Sequence, residues 1–417
     1  MKQLRPYQVE KSKEALNILK QFGCVYIAGQ VRTGKSASSL EVAKQYGSNN
    51  VLFLTKKNAM SSIKSDYSEF GYTSDYELTI INDESMHKLT ELEQFDLIIH
   101  DEHHRHGAFP KPGAKTKLYK QMFYGKPMIF LSGTPSPESF SQMYHQFWTT
   151  PNGPWSQYGN FYKWAHEYVN ITEKHLGTHK IKDYSDGDSE RIMSDLKPYM
   201  VTFTQQDAGF KSVIDEEVLL VNMKPVTYSL CERILKDLVI PGKDEVILAD
   251  SPVKLQQKLH QLYSGTIKFE SGNRQVIDTS KAEFIRSHFA TSKLAIFYKF
   301  VAELECLKQV LGERLTTDVD EFNSDPDKWY AVQIVSGREG TSYAAADYLV
   351  FYNIDFSATS YWQGRDRMTT KDRTHNKVYW IFSKGGIESK IYESVKNKKN
   401  YTLNHFRKDY KFKKHGS

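Results

Sequence analysis

Residues Gly29-Gln30-Val31-Arg32-Thr33-Gly34-Lys35-Ser36 fill every fixed position of the pattern G-x-x-x-x-G-K-[ST]. In this pattern, glycines let successive backbone N–H groups turn inward around phosphate oxygens, which a Cβ would obstruct. Lys35 is expected to reach the β- and γ-phosphates of a nucleoside triphosphate, and Ser36 to hold Mg²⁺. We therefore predict that residues 29 and 31–36 bind the nucleotide.

The sequence patterns on both sides of this loop predict the strand and the helix that flank such a loop. The apolar residues 23–28 predict a short buried strand, and residues 36–46 predict a helix that Gly47 ends. The positive N-terminal end of that helix would point at the phosphates. A chance glycine-rich turn before a helix is the alternative, and the complete motif with both flanks disfavours it.

The length and charge of the chain set limits on its organisation. Its 417 residues suit two domains of about 150–200 residues each. The formal net charge is +6, and basic residues cluster from Lys396 to the C-terminus. A solvated tail and a contact with nucleic acid explain that cluster equally well.

The placing of the cysteines and the shortness of the apolar runs exclude several classes of protein. Cys24, Cys231 and Cys306 are scattered without a C-x-x-C pair, which excludes a cysteine-based zinc module and favours a reducing compartment. No secretory h-region and no run of membrane-spanning length is present. We therefore expect a monomeric, cytoplasmic protein (host cytoplasm if viral) that has no membrane or zinc partner.

A pair of acids follows a second apolar segment. Residues 95–100 predict a strand that runs directly into Asp101-Glu102-His103-His104. Carboxylates at the end of a parallel strand lie at the edge of the sheet where ligands bind. Asp101 would hold Mg²⁺ through water, and Glu102 would orient and deprotonate the attacking water.

Further strand patterns complete one α/β domain and indicate a second. Ser132-Gly133-Thr134-Pro135 follows a strand and is either a β-turn or a relay that links hydrolysis to movement. Residues 1–210 are predicted to form the first domain, with 151–210 as an insertion or a bridging helical segment. Residues 211–395 predict a second parallel α/β domain without a phosphate loop, and 396–417 a basic tail.

The second domain contains Gln363-Gly364-Arg365-Asp366-Arg367 after a predicted strand. Arginines in this position suit an arginine finger, which neutralises charge on the γ-phosphate in the transition state. An exposed, ion-paired helix face is the alternative.

Together these segments resemble the motors of helicase superfamily 2, and within it the Swi/Snf-like DNA translocases. Arg5-Pro6-Tyr7-Gln8 is similar to the adenine-reading Q motif, residues 29–36 to motif I, residues 101–104 to the D-E-x-H box, and residues 132–135 to motif III. The segment from Gly337 to Asp347, which includes Gly340, resembles motif V, and residues 363–367 resemble motif VI. The compact size is more like that of a bacterial or phage member.

The resemblance implies two tandem RecA-like domains with an ATP cleft between them. It implies that Gln8 and Arg5 bind the adenine, that Gly340 and Gln363 belong to the ATP site, and that Thr55, Lys56, Ser336 and Thr341 contact nucleic-acid phosphates. The family carries arginines four and seven residues after the glutamine, which here are Arg367 and Thr370, with Arg365 extra. Arg367 is the preferred finger and Arg365 the next.

The implied function is movement along DNA driven by ATP hydrolysis, and remodelling of forked or branched DNA is a further activity that it would allow. A motor that moves on RNA is one alternative. A nucleotide-gated scaffold that binds nucleic acid without turnover is another.

Overall fold

The protein is described here by a computed structural model, which covers residues 2–30, 32–176, 179–209, 213–242, 244–337, 343–369, 373–397, 406 and 409–410. The chain divides into two compact units, Met1–Phe210 and Lys211–Ser417. Among the described residues, no helix combines the length and the apolar character that crossing a membrane requires.

The first unit is built on a six-stranded parallel sheet. Its strands are β1 (Cys24–Gly29), β2 (Asn50–Thr55), β3 (Glu77–Asn82), β4 (Leu97–His100), β5 (Met128–Ser132) and β8 (Met200–Phe203), and the hairpin strands β6 (Thr172–Leu176) and β7 (His179–Asp183) lie outside it. Its helices are α1 (Pro6–Phe22), α2 (Lys35–Tyr46), α3 (Met60–Glu69), α4 (Ala114–Phe123), α5 (Met143–Phe147), α6 (Phe161–Tyr168) and α7 (Ser189–Leu196). The sheet order is β3-β2-β4-β5-β1-β8, and every neighbouring pair runs parallel.

The central strands are buried on both faces, which explains their nearly continuous apolar sequences. Val25 and Ile27 of β1 point to one face, where they join the core formed with α1 and α2. Cys24 and Tyr26 point to the other face and join the core that includes α4. The strict period of two along a strand separates these residues between the two cores.

The segment 151–209 differs from the insertion or bridging helix that the sequence suggested. It supplies β8, which pairs with β1 at the edge of the sheet. Its aromatic side chains Trp155 and Trp164 are buried in the core beside α4. The segment looks polar in sequence because few of its residues are apolar, but those few are large and bury a great deal of surface.

The second unit has its own six-stranded parallel sheet. Its strands are β9 (Val213–Val221), β14 (Leu294–Tyr298), β15 (Leu315–Thr316), β16 (Trp329–Gln333), β17 (Tyr348–Phe351) and β18 (His375–Ser383), and two antiparallel pairs are formed by β10 (Val239–Pro241) with β11 (Val246–Leu248) and β12 (Thr266–Lys268) with β13 (Arg274–Val276). Its helices are α8 (Pro225–Asp237), α9 (Pro252–Tyr263), α10 (Ser280–His288), α11 (Val301–Leu311), α12 (Val319–Ser324), α13 (Ile334–Gly337), α14 (Ala358–Arg365) and α15 (Glu388–Lys396). The sheet order is β15-β16-β14-β17-β18-β9. The predicted fold class, two tandem parallel α/β domains, is confirmed.

Candidate functional site

The predicted phosphate loop and acid pair lie at the same edge of the first sheet. Gly29 ends β1, and Asp101 follows directly on the last residue of β4. Thr55 ends β2 and Ser132 ends β5. Because all of these strands run parallel, their carboxyl ends share one edge, where α/β proteins bind ligands.

The phosphate loop contains backbone conformations that residues with a side chain rarely adopt. Gly34 has φ +79° and Arg32 has φ +64°, both in the left-handed region. The Nζ of Lys35 donates hydrogen bonds to the carbonyl oxygens of Gly29 at 2.8 Å and Gln30 at 3.2 Å. Lys35 therefore starts α2 with its ammonium group folded back over the loop. Val31 lies outside the described residues.

The N-terminal end of α1 braces this loop. The Oε1 of Gln8 accepts a hydrogen bond from the N–H of Arg5 at 2.9 Å, and its Nε2 donates to the carbonyl of Gly34 at 3.5 Å. A Cβ on Gly34 would lie 2.1 Å from that Nε2. Tyr7 donates from its hydroxyl to the carbonyl of Thr33 at 2.6 Å. Gln8 thus supports the loop. Its contact with adenine stays a prediction, and its side-chain amide can form further hydrogen bonds for such a contact.

Asp101 and Glu102 are positioned by their neighbours. The Oγ1 of Thr55 donates to Oδ2 of Asp101 at 3.0 Å, and the N–H of Glu102 donates to Oδ1 at 3.0 Å. Glu102 has φ +52°, a left-handed conformation that is uncommon for a residue with a side chain. Thr55 is 1% exposed, so its hydroxyl holds Asp101 instead of the nucleic-acid phosphate that the resemblance suggested.

The surroundings of the acid pair shift the pKa values of its two carboxyl groups in opposite directions. Burial raises the pKa of Asp101, and the negative charge of Glu102 raises it further, while Lys35 acts in the opposite direction. Burial also acts to raise the pKa of Glu102, but His104 and Lys35 together outweigh it and lower that pKa below its ordinary value. Glu102 is therefore ionised near neutral pH and can accept a proton or a hydrogen bond.

A chain of polar contacts leads from Glu102 to the Ser132–Pro135 segment. His104 Nδ1 lies 3.1 Å from Oε2 of Glu102 and 2.9 Å from Oγ of Ser132. The same hydroxyl accepts a hydrogen bond from the N–H of Thr134 at 3.1 Å. Sequence reasoning quoted His104 within the D-E-x-H box but gave it no role. Its contact with Ser132 depends on β4 and β5 being neighbours, which the sequence alone did not reveal.

The two candidate arginines of the second unit have different surroundings. Arg365, at the end of α14, places its Nη1 2.5 Å from Oε1 of Glu216 on β9, and its guanidinium lies over the Trp362 ring at 4.0 Å. Arg367 follows in a 3₁₀ turn and is buried, and its backbone carbonyl accepts a hydrogen bond from the N–H of Tyr343 at 3.1 Å. Arg365 is ion-paired, as in the alternative for this segment, but its side chain is only 20% exposed, so an exposed helix face does not describe it.

Other predicted residues of the second unit are described only in part. Gln363 is 1% exposed, and its Oε1 has no hydrogen-bond partner in the part of the chain that the structure describes. Ser336 is exposed in α13. Gly340, Thr341 and Thr370 lie outside the described residues, as does most of the basic tail.

Comparisons with known proteins give a similarity in structure. No family model and no curated protein matches the chain. The chain is similar to the Sulfolobus solfataricus SWI2/SNF2 ATPase core in complex with dsDNA, at 15% identity and a TM-score of 0.44, over 98% of this chain and 92% of that one. It is similar to the Sulfolobus solfataricus SWI2/SNF2 ATPase core domain, at 14% identity and a TM-score of 0.43, over 99% and 95%. At this level the similarity does not determine function, which has to follow from the residues of the site.

Proposed function

We propose that the protein is a nucleic-acid-dependent ATPase that uses ATP hydrolysis to move along DNA. The observation that carries this proposal is the shared sheet edge of the phosphate loop and the Asp101-Glu102 pair, with Lys35 close enough to act on the pKa of both acids. A lysine on a phosphate loop and an acid that activates water are the parts that NTP hydrolysis needs.

The residues of this edge suit ATP with Mg²⁺. Ser36 supplies a hydroxyl at the start of α2 and Asp101 a carboxylate, and hard oxygen ligands of this kind are those that Mg²⁺ prefers. Lys35 would exchange its contacts with Gly29 and Gln30 for the nucleotide phosphates. When bound, Mg²⁺ neutralises charge on the phosphates during transfer.

Glu102 is the residue that we assign to the attacking water. Its buried Oε2 lies 3.1 Å from His104 Nδ1, and this contact helps to keep the carboxylate ionised. The same His104 nitrogen has its hydrogen bond with Ser132. An ionised oxygen in this position is available to accept a hydrogen bond from water and then its proton.

The choice of DNA as the track rests on the resemblance of the motifs to the Swi/Snf-like group. The proposed finger is Arg367, since Arg365 is engaged by Glu216. In this proposal each cycle of hydrolysis advances the motor along the phosphate backbone. Separation of strands and remodelling of forks or junctions are further activities that the same motor could perform.

A panel of ATPase assays tests this proposal. Turnover is measured with duplex DNA, single-stranded DNA, RNA, forks and four-way junctions, in the wild type and in Lys35→Ala. We expect stimulation by DNA above that by RNA, and no turnover in the variant. Equal or greater stimulation by RNA would favour an RNA motor, and zero turnover with every nucleic acid would favour a scaffold that only binds nucleotide.

A further inference from the structure

Three histidines form a buried cluster beside the acid pair. His100 is the last residue of β4, and His103 and His106 are the first and last residues of the 3₁₀ turn His103–His106. Each is 0% exposed. One ring nitrogen from each histidine lies within 4.8 Å of those of the other two. The spacing of three residues therefore brings all three rings to one point in the core.

Each ring has one nitrogen within 3.3 Å of an outer partner, and the contact of His100 with Asp83 has the distance of an ion pair without the geometry of a hydrogen bond. His100 Nε2 lies 3.3 Å from Oδ1 of Asp83, His103 Nε2 lies 3.0 Å from the carbonyl oxygen of Gln146, and His106 Nδ1 lies 3.0 Å from Oγ1 of Thr116. A carboxylate, a carbonyl and a hydroxyl are the partners that commonly orient metal-binding histidines. A carbonyl accepts only, so Nε2 of His103 must carry the proton and donate it.

The other nitrogens of the three rings are Nδ1 of His100, Nδ1 of His103 and Nε2 of His106. His100 Nδ1 and His103 Nδ1 face each other at 3.2 Å. His106 Nε2 is buried without a hydrogen-bond partner among the described residues. When neither Nδ1 carries a proton, the two lone pairs repel at this distance unless a metal ion lies between them, and when one Nδ1 carries a proton the contact is a hydrogen bond.

We propose that this cluster binds a divalent transition metal, with zinc as the ion that fits best, through Nδ1 of His100, Nδ1 of His103 and Nε2 of His106. Imidazole is a preferred ligand of zinc, and zinc–nitrogen bonds of about 2.0–2.1 Å in a tetrahedron place two ligand nitrogens about 3.3 Å apart. The observed 3.2 Å between His100 and His103 matches that separation. The earlier exclusion of zinc rested on the cysteines and did not consider this all-histidine set.

The metal would have a structural role. Three histidines with water as the fourth ligand also occur in catalytic zinc sites, but these need an open position for the substrate. All three side chains here are inaccessible, and the ring of His103 stacks on Phe130 at a centroid distance of 3.9 Å. The ion would instead fix the chain on both sides of Asp101 and Glu102, where the backbone of Glu102 is left-handed.

Through the outer partners of the histidines, the metal would also hold other segments of the domain in place. Asp83 follows β3, Thr116 belongs to α4 and Gln146 belongs to α5. A metal bound to the three histidines would therefore join four segments of the first unit at one point. This inference goes beyond the proposed ATPase and does not rest on it, since metal binding requires no nucleotide.

Metal content gives the direct test. The full chain is purified without chelator, its affinity tag is removed, and zinc is measured by mass spectrometry. We expect about one zinc ion per chain. After removal of the metal, titration with Co²⁺ should give the visible absorption of a nitrogen-ligated tetrahedral ion. A wild type that is isolated without metal and binds neither Zn²⁺ nor Co²⁺ overturns the proposal.

Three variants locate the site. His106→Gln should lose the zinc, and Asp83→Asn should weaken zinc affinity by about 10–100-fold, the usual effect of removing an outer partner. His87→Gln is the matched control, because His87 is an exposed histidine of the same unit, and it should keep the metal. Equal zinc in all four proteins would contradict the assignment. The cobalt spectrum of the wild type decides the question if His106→Gln does not fold.

Discussion

The guanidinium of Arg365 forms an ion pair with Glu216, with 2.5 Å between Nη1 and Oε1. The same carboxylate accepts hydrogen bonds from the Tyr361 hydroxyl at 2.8 Å and from Nε1 of Trp380 at 3.0 Å. Glu216 lies on β9 at the edge of the second sheet, so this ion pair attaches α14 to that strand. The contact gives Arg365 a structural partner, and which of the two arginines is the finger stays a prediction.

We expect Arg365→Ala to act mainly on stability. It leaves the Glu216 carboxylate, whose side chain is 9% exposed, without its cationic partner. Loss of one partner from a largely buried ion pair costs about 3 kcal/mol. Urea unfolding of the variant measures this cost. An unchanged free energy of unfolding together with lost turnover would instead make Arg365 the finger.

Arg367→Ala should act mainly on turnover. An arginine finger contributes about 10³-fold or more to kcat, because its charge stabilises the transition state of phosphoryl transfer. The measurement is DNA-stimulated kcat at saturating ATP, with urea unfolding in parallel. Arg365→Ala serves as the matched control, assayed at a temperature where it remains folded. A kcat within a few-fold of the wild-type value would show that Arg367 is not the arginine finger.

Glu102→Gln should retain ATP binding and lose turnover. The amide keeps the shape of the side chain but cannot take a proton, and positioned acid–base groups contribute about 10²–10⁴-fold. Single-turnover hydrolysis and binding of a fluorescent ATP analogue check the two expectations. Glu84→Gln is the control, since the Glu84 side chain is 71% exposed. Normal hydrolysis by Glu102→Gln would show that another group activates the water.

Thr55→Val should raise the Mg²⁺ concentration needed for half-maximal ATPase activity. The change removes the hydrogen bond to Oδ2 of Asp101, and hydrogen bonds to charged groups contribute about 1.5–3 kcal/mol, which corresponds to about 10-fold or more. Thr79→Val, at an exposed position of β3, is the control. If Thr55→Val changed only the stimulation by DNA, the result would instead support the contact between Thr55 and a nucleic-acid phosphate that the resemblance suggested.

Lys281→Met should destabilise the second unit by about 3–5 kcal/mol. Lys281 Nζ lies 2.7 Å from Oε1 of Glu388, and both side chains are 0% exposed, so the variant leaves a buried, unpaired carboxylate. Urea unfolding measures the loss, and Lys308→Met on the exposed face of α11 is the control. The double variant Lys281→Met with Glu388→Leu should recover much of the stability, because it removes both charges.

Stability should fall when the pH drops from about 6.5 towards 4. Burial lowers the pKa of His145 to about 4, while an unfolded histidine has a pKa near 6.5. Between these values the unfolded state binds more protons, so protonation favours unfolding, by up to about 3 kcal/mol for this group. Urea midpoints at several pH values measure the slope. His145→Gln should reduce it, and an unchanged slope would assign the effect to other buried histidines.

The sequence alone predicts the phosphate loop, the acid pair and the two parallel sheets. These features depend on local patterns, namely fixed glycines, apolar runs of strand length and acids at strand ends, whose meaning does not require knowledge of distant partners. Lys35 and Glu102 were assigned their roles on that basis, and the structure places both at one sheet edge.

How residues far apart in the chain combine is visible only once the chain is folded. Arg365 is an ion-pair partner because Glu216, 149 positions away, faces it, and Thr55 is a support for Asp101 because β2 and β4 are neighbours. The spacing of His100, His103 and His106 is visible in the sequence, but it did not predict a shared site. In the proposed metal site, the contacts of the three rings with Asp83, Gln146 and Thr116 would leave the other nitrogen of each ring for the ion.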